Sequence, residues 1–264
     1  KVLDVIVVQP AKSVKAQLDQ ETLSVGQTAQ ITASVSPEDA TLQGVTYESR
    51  KPEVAAVDEN GVVTGMSRGS ATIRVKSEDG YAQTSVTVQV RQPAEEIQLE
   101  LAKATLPEGK TATVKATVLP KDTNNKKLTW SSSDESIATV NREGRVKGIQ
   151  PGTVTITAAS AEVPEVTGSI DVQVVRLAKS VAFEQKEYDV ILGQTAQLAV
   201  TVGPEDTTDK SVTYKSNNPK KVSVDENGVV TALAAGKATI TATTADGSRR
   251  QATTVVRVIV PVTG

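Results

Sequence analysis

Residues 128–158, LTWSSSDESIATVNREGRVKGIQPGTVTITA, join an aromatic strand, a glycine turn and a threonine-rich strand in one stretch. The same pattern occurs three times, opened by Tyr47, Trp130 and Tyr214. Its turn glycines fall at Gly61, Gly144 and Gly228, and again at Gly69, Gly152 and Gly236. Gly61 to Gly144 is 83 residues, and Gly144 to Gly228 is 84. A steady period of that length marks tandem copies of one small unit.

Working outward, each copy reads as a set of short strands. Ahead of the aromatic strand, Ala29, Ile31, Ala33 and Val35 alternate with polar residues, as do Ala112 to Val118 and Ala196 to Val202. Period two over eight residues is a half-buried strand. Pro37, Pro120 and Pro204 close it, because proline cannot donate to the ladder. After Gly69, Gly152 and Gly236 a second alternating run follows, then a polar turn and a closing strand. Copy two departs at Glu162-Val163-Pro164-Glu165, which predicts a longer loop there. Copy three carries Lys221 where the others have Val54 and Ile137, which predicts a one-residue shift with Val222 taking the inward place. The expected fold is all-β: about seven strands per copy, in tandem immunoglobulin-like sandwiches set end to end as an elongated rod. A strand of eight residues spans about 26 Å, and each copy with its loops about 40 Å.

Gln9-Pro10-Ala11 recurs as Gln92-Pro93-Ala94, so the register makes residues 1–9 the last strand of a preceding repeat. The expected divisions are then 10–92, 93–176 and 177–260 for the three copies, with 261–264 as the linker to a following one. Pro261-Val262-Thr263-Gly264 also resembles a sortase signal, but the repeat register alone accounts for Pro261.

Composition excludes whole classes of function. The 264 residues carry 29 basic and 31 acidic side chains, well mixed, so no basic block awaits a nucleic acid. No apolar run reaches the 18 residues of a membrane helix. Cysteine and histidine are both absent, which removes disulfides, thiol chemistry, imidazole bases and the usual zinc sites. A Ser nucleophile therefore has no imidazole base, and a hydrolytic carboxylate pair would need an enclosed site that breaks the repeat. No enzyme activity, cofactor or metal is expected.

The string from Trp130 through Gly144, Gly148 and Gly152 to Ala158 resembles the bacterial Ig-like domain, group 2, and it does so in all three copies. The resemblance implies a non-catalytic module repeated in bacterial surface proteins such as intimin- and invasin-like adhesins. It also implies an extracellular or cell-surface location, with a stalk role for a monomeric chain whose nearest partners are its own neighbouring repeats. A host surface or a glycan would be the outside ligand. The alternative it leaves open is an accessory module of a secreted glycosidase, or a phage virion protein.

Several candidate sites have a structural reading beside the functional one. Asp58-Glu59-Asn60-Gly61 and Asp225-Glu226-Asn227-Gly228 could hold calcium, but four residues are too few for a six- to eight-oxygen shell. Asn-Gly supplying positive φ for a hairpin accounts for them. Asp39, Asp122 and Asp206, two residues past the loop proline, read as turn residues. Glu95 and Glu96 could hold a cation at a junction. Tyr47, Trp130 and Tyr214 could stack on sugars, yet their fixed place in an alternating strand makes them core aromatics. Phe183, Tyr81 and Tyr188 have no aromatic repeat mates and build no repeated platform.

Overall fold

The computed structural model describes residues 8–261. The strand assigned from sequence to a preceding repeat (residues 2–8, apart from Val8) and Val262 to Gly264 lie outside the described residues. Every regular element among those described is a β-strand. The chain divides into two compact units. One holds residues 8–99, Ala116–Thr129 and Ala158–Gly168; the other holds Glu100–Lys115, Trp130–Thr157 and residues 169–261.

In the first unit, the first repeat is built from β1 (Ser13–Leu18), β2 (Thr22–Ser24), β3 (Thr28–Ser36), β4 (Val45–Ser49), β5 (Ala55–Val57), β6 (Val62–Gly65), β7 (Gly69–Ser77) and β8 (Gln83–Arg91). Two four-stranded sheets result, ordered β1-β3-β6-β5 and β2-β8-β7-β4. All pairs are antiparallel except β2 with β8. The eighth strand arises because the leading edge segment changes sheets. β1 pairs with β3, and after Asp19 to Glu21 the chain crosses to lie beside β8. The alternation read from β3 holds, with Ala29, Ile31 and Val35 buried and Ala33 half-buried. Val63, Ile73, Val75 and Val88 are completely enclosed between the sheets. Each such side chain contributes about 1.5–3 kcal/mol of transfer free energy.

In the second unit, the third repeat repeats this plan. The strand 187–191 lies parallel to 251–259, followed by 236–244 and 212–216. Its third strand breaks between Gln197 and Val200, which divides the other sheet in two. From the middle repeat, Thr105–Pro107 lies parallel to 173–175, and Arg145–Gly148 is flanked by Thr111–Thr113 and Ala138–Val140.

The register shift expected at Lys221 does not occur. Ala55, Ala138 and Val222 pair with Gly65, Gly148 and Ala232 in the same register. The stem of Lys221 takes the place of Val54 and Ile137. A Cβ on Gly236 would lie 3.1 Å from Lys221 Cδ, as one on Gly69 would lie 3.1 Å from Val54 and one on Gly152 would lie 2.7 Å from Ile137. The Lys221 ammonium lies over the same glycine, with Nζ 2.7 Å from that Cβ position, and the residue as a whole is half-buried.

Candidate functional site

The recurring polar residues gather at two places in each repeat: the glycine turn and the entry segment. At the turn, Asp58 Oδ1 accepts the N–H groups of Asn60 (2.9 Å) and Val62 (2.8 Å), while the Gly61 N–H donates to the Asp58 carbonyl. Asn141 receives Glu143 and Arg145 in the same way, at 3.1 and 2.8 Å, and Asp225 receives Asn227 and Val229 at 2.9 and 2.8 Å. The position needs an oxygen acceptor rather than a charge, which is why asparagine serves in copy two. Positive φ falls on Gly61, Gly144 and Gly228 (78°, 74° and 81°) and not on the preceding Asn60, Glu143 and Asn227, since Arg249 is the one non-glycine with positive φ among the described residues.

These glycines also leave room for the aromatic rings. A Cβ on Gly61 would come 2.7 Å from Tyr47 Cζ; on Gly144, 2.7 Å from Trp130 Cζ2; on Gly228, 2.8 Å from Tyr214 Cζ. All three aromatics are half-buried rather than enclosed, and Tyr47 and Tyr214 pack on the rim of the Val/Ile cores. Burial raises the phenol pKa of both tyrosines, with the Asp58 charge adding to it at Tyr47 and Tyr188 adding to it at Tyr214. Phe183 and Tyr188 pack against the third core, while Tyr81 is 76% exposed.

The other acidic positions are occupied by local contacts. Pro37, Pro120 and Pro204 follow cis peptide bonds, and their carbonyls accept Ala40, Thr123 and Thr207 N–H at 3.0 Å, which puts Asp39, Asp122 and Asp206 inside the turns. Glu95 accepts the Gln92 amide and Glu96 the Gln98 amide, both at 2.9 Å. Among the described residues no three acidic side chains converge as a metal-binding group.

Sequence reading missed the entry segment, where a small lock recurs. Gln9 N–H donates to Thr41 Oγ1 (2.8 Å), and Thr41 N–H returns to the Gln9 carbonyl (2.9 Å). Gln92 and Asn124 exchange the same pair at 2.6 and 2.9 Å; Arg176 and Thr208 do so at 2.8 and 3.0 Å. In repeats one and three an aspartate closes the lock from the loop before the last strand. Asp79 accepts the Ala11 N–H (2.7 Å), and Asp246 accepts that of Ala178. The Ala11 N–H, with Ser77, holds Asp79 below the usual carboxylate range. At Asp246 burial pushes the other way, but the N–H of Ala178 and the Ser248 hydroxyl outweigh it. The register of Thr41, Asn124 and Thr208 was the available signal, since all three are side-chain acceptors at one repeat position.

At the entry to repeat three the lock gains a bridge. The Arg176 guanidinium takes both oxygens of Glu108, with Nη2–Oε1 at 2.9 Å, and also pairs with Asp206. That hydrogen-bonded guanidinium lowers the Glu108 pKa, and Glu108 raises that of Arg176.

The profile of the bacterial Ig-like domain (group 2) matches residues 10–88, 93–170 and 177–255, most of the chain. The chain belongs to that family. An uncharacterized protein of Clostridium acetobutylicum is 39% identical over 137 residues, covering 52% of this chain and 14% of that protein. The Ig-like virion protein of Serratia phage KSP90 is 32% identical over 161 residues, covering 60% of this chain and 62% of its own. A 3-O-alpha-D-galactosyl-alpha-L-arabinofuranosidase of Bifidobacterium longum subsp. longum is 46% identical over 72 residues, covering 27% of this chain and 6% of the enzyme. The chain thus spans less than two thirds of each of these relatives. This group 2 Ig-like chain shares only a small part of the enzyme it resembles.

Proposed function

We propose that this segment is a non-catalytic spacer of a bacterial surface or secreted protein, holding another domain away from the point of attachment. The observation that carries the reading is the recurring entry lock. Three connecting residues, Gln9, Gln92 and Arg176, are each pinned by a reciprocal hydrogen-bond pair to the repeat they lead into. A connector fixed in this way has few free residues in which to bend, as a spacer requires. Under this reading the repeats fall at 10–92, 93–176 and 177–260, and the half-buried aromatics and turn glycines are structural. Small-angle X-ray scattering tests it. A spacer predicts a largest dimension on the order of 100 Å. Its radius of gyration should exceed clearly the ~18 Å of a compact globule of this length. A globule-like value would refute the spacer.

The names of relatives favour a second reading, an accessory module beside a glycosidase or a phage virion component that contacts a glycan or host surface itself. Binding of the isolated segment to intact cells or glycans, rather than its dimensions, tests that one.

A further inference from the structure

Within the second unit, the hollow at the entry to repeat three is ringed by cations. Lys110, Arg176, Lys179 and Arg250 line an open depression of about 570 Å³, with Glu108 as the one carboxylate on its wall. Arg176 is engaged by Glu108 and Asp206. Lys110, Lys179 and Arg250 are exposed, and among the described residues none of them is in an ion pair. The Lys179 charge reaches Glu108 only at a distance. Asp246, close by, is held by the Ala178 N–H and Ser248.

This charge is not imposed by the repeat. At the entry to repeat two the same positions hold Gln27, Gln92, Glu95 and Val166, with Val25 in place of Glu108. Val166 and Arg250 correspond because their carbonyls accept the equivalent N–H groups, of Ser160 and Thr244. Four cations have therefore gathered at one entry where the fold accepts neutral or acidic residues. Arg250 is also set by a loop in which Arg249 takes the left-handed conformation (φ 55°), one that only a surrounding structure sustains.

We infer that this hollow binds an acidic glycan, its uronate carboxylates or sulfate esters set against Lys110, Lys179 and Arg250. Three exposed cations around one hollow complement the repeated anions of such a chain. Pro107 and Leu177, both half-buried, offer apolar surface to the ring faces. No aromatic lines the hollow, so it lacks the stacking platform expected of a single-stranded nucleic-acid site. The inference does not rest on the spacer reading, since a spacer could carry this site or lack it.

The test is calorimetric titration of the whole segment at low salt with an oligogalacturonate and, separately, a sulfated galactan oligosaccharide. Neutral dextran and a single-stranded oligodeoxynucleotide of matched charge serve as comparisons. Binding of either acidic glycan is expected, weakening as salt screens exposed charges; which one binds identifies carboxylate or sulfate as the preferred anion. The triple variant Lys110→Glu/Lys179→Glu/Arg250→Glu should lose at least about tenfold in affinity. Its melting temperature should hold, because the three side chains are exposed. No binding at millimolar concentration would overturn the inference, as would an unaffected triple variant or equal binding of dextran or the oligonucleotide.

Discussion

Gln92 and Arg176 occupy the same place in successive repeats and exchange the same reciprocal hydrogen-bond pair with the repeat that follows, yet only one reaches backwards. Arg176 holds Glu108 of the preceding repeat and Asp206 of the next. The Gln92 amide turns to Glu95, one turn along its own segment. Around Gln92 the links between repeats are the longer Arg91–Glu162 pair at 3.8 Å and an Arg68 guanidinium on the Asp122 carbonyl at 3.1 Å. The fold thus fixes how a repeat receives its linker, and side-chain choice decides how firmly the previous repeat is tied to it. Bidentate pairs to a carboxylate are shorter and geometrically stricter than isolated surface pairs.

The largest expected effect comes from removing what both connections depend on. The middle repeat supplies Asn124 to one and Glu108 to the other. Trp130→Ala strips its half-buried ring from Gly144 and should cost about 2–4 kcal/mol, near the lower end of such truncations because the ring is not enclosed. Chemical denaturation should show both connections lost with that repeat. If the variant melts like the parent, the ring is not structural, and a sugar-stacking role for Trp130 regains its standing.

Gly144→Ala comes next. It combines a φ of 74° with a Cβ only 2.7 Å from the Trp130 ring, and about 1–3 kcal/mol is expected. Gly109→Ala, beside Glu108, has φ 75° but nothing within 4 Å, so it should cost about 1 kcal/mol. Equal losses in denaturant melts would show that the ring contact adds nothing to the turn.

These two glycines also mark the reach of sequence reading. Period, turns and inward faces were legible because they depend on short spacings: two residues along a strand, four around a turn. The entry lock was not, because it joins residues 32 apart, with Asp79 and Asp246 closing it from 68 away. Arg176 has the same difficulty, with partners 68 and 30 residues distant. Lys221 misled for another reason. Its charge marked it as a departure, while its long side chain still packs over Gly236 as Val54 does over Gly69.

Acid should separate the two connections. The folded-state pKa of Glu108 lies below its ordinary value, chiefly through the Arg176 hydrogen bond, and that of Asp246 is also lowered. A depressed carboxylate pKa gives stabilisation that is fully present above the unfolded-state value of about 4 and is lost as pH falls through the folded-state value. The Gln92–Asn124 pair has no titrating member. Amide spectra recorded from pH 6 to pH 3 should therefore show Arg176 and Ala178 losing their ordered environment before Gln92 does. Simultaneous change would mean that the bridge does not govern the entry to repeat three.

The smallest effect, and the closest test of the contrast, is a transplant. Val25→Glu with Gln92→Arg rebuilds at the entry to repeat two the residues that stand at 108 and 176, and Asp122 already occupies the place of Asp206. Val25 is 36% exposed, so a carboxylate there stays in contact with water and loses little hydration. The new pair should be worth a few tenths of a kcal/mol to 1 kcal/mol, and less at high salt. A double-mutant cycle isolates it from the loss of the Gln92–Glu95 contact, which the single Gln92→Arg change also causes. A favourable coupling that fades in salt would show that position 92 accepts a bridge and that Gln92 leaves it out. Zero coupling would place the difference in the backbone around the linker rather than in the side chains it carries.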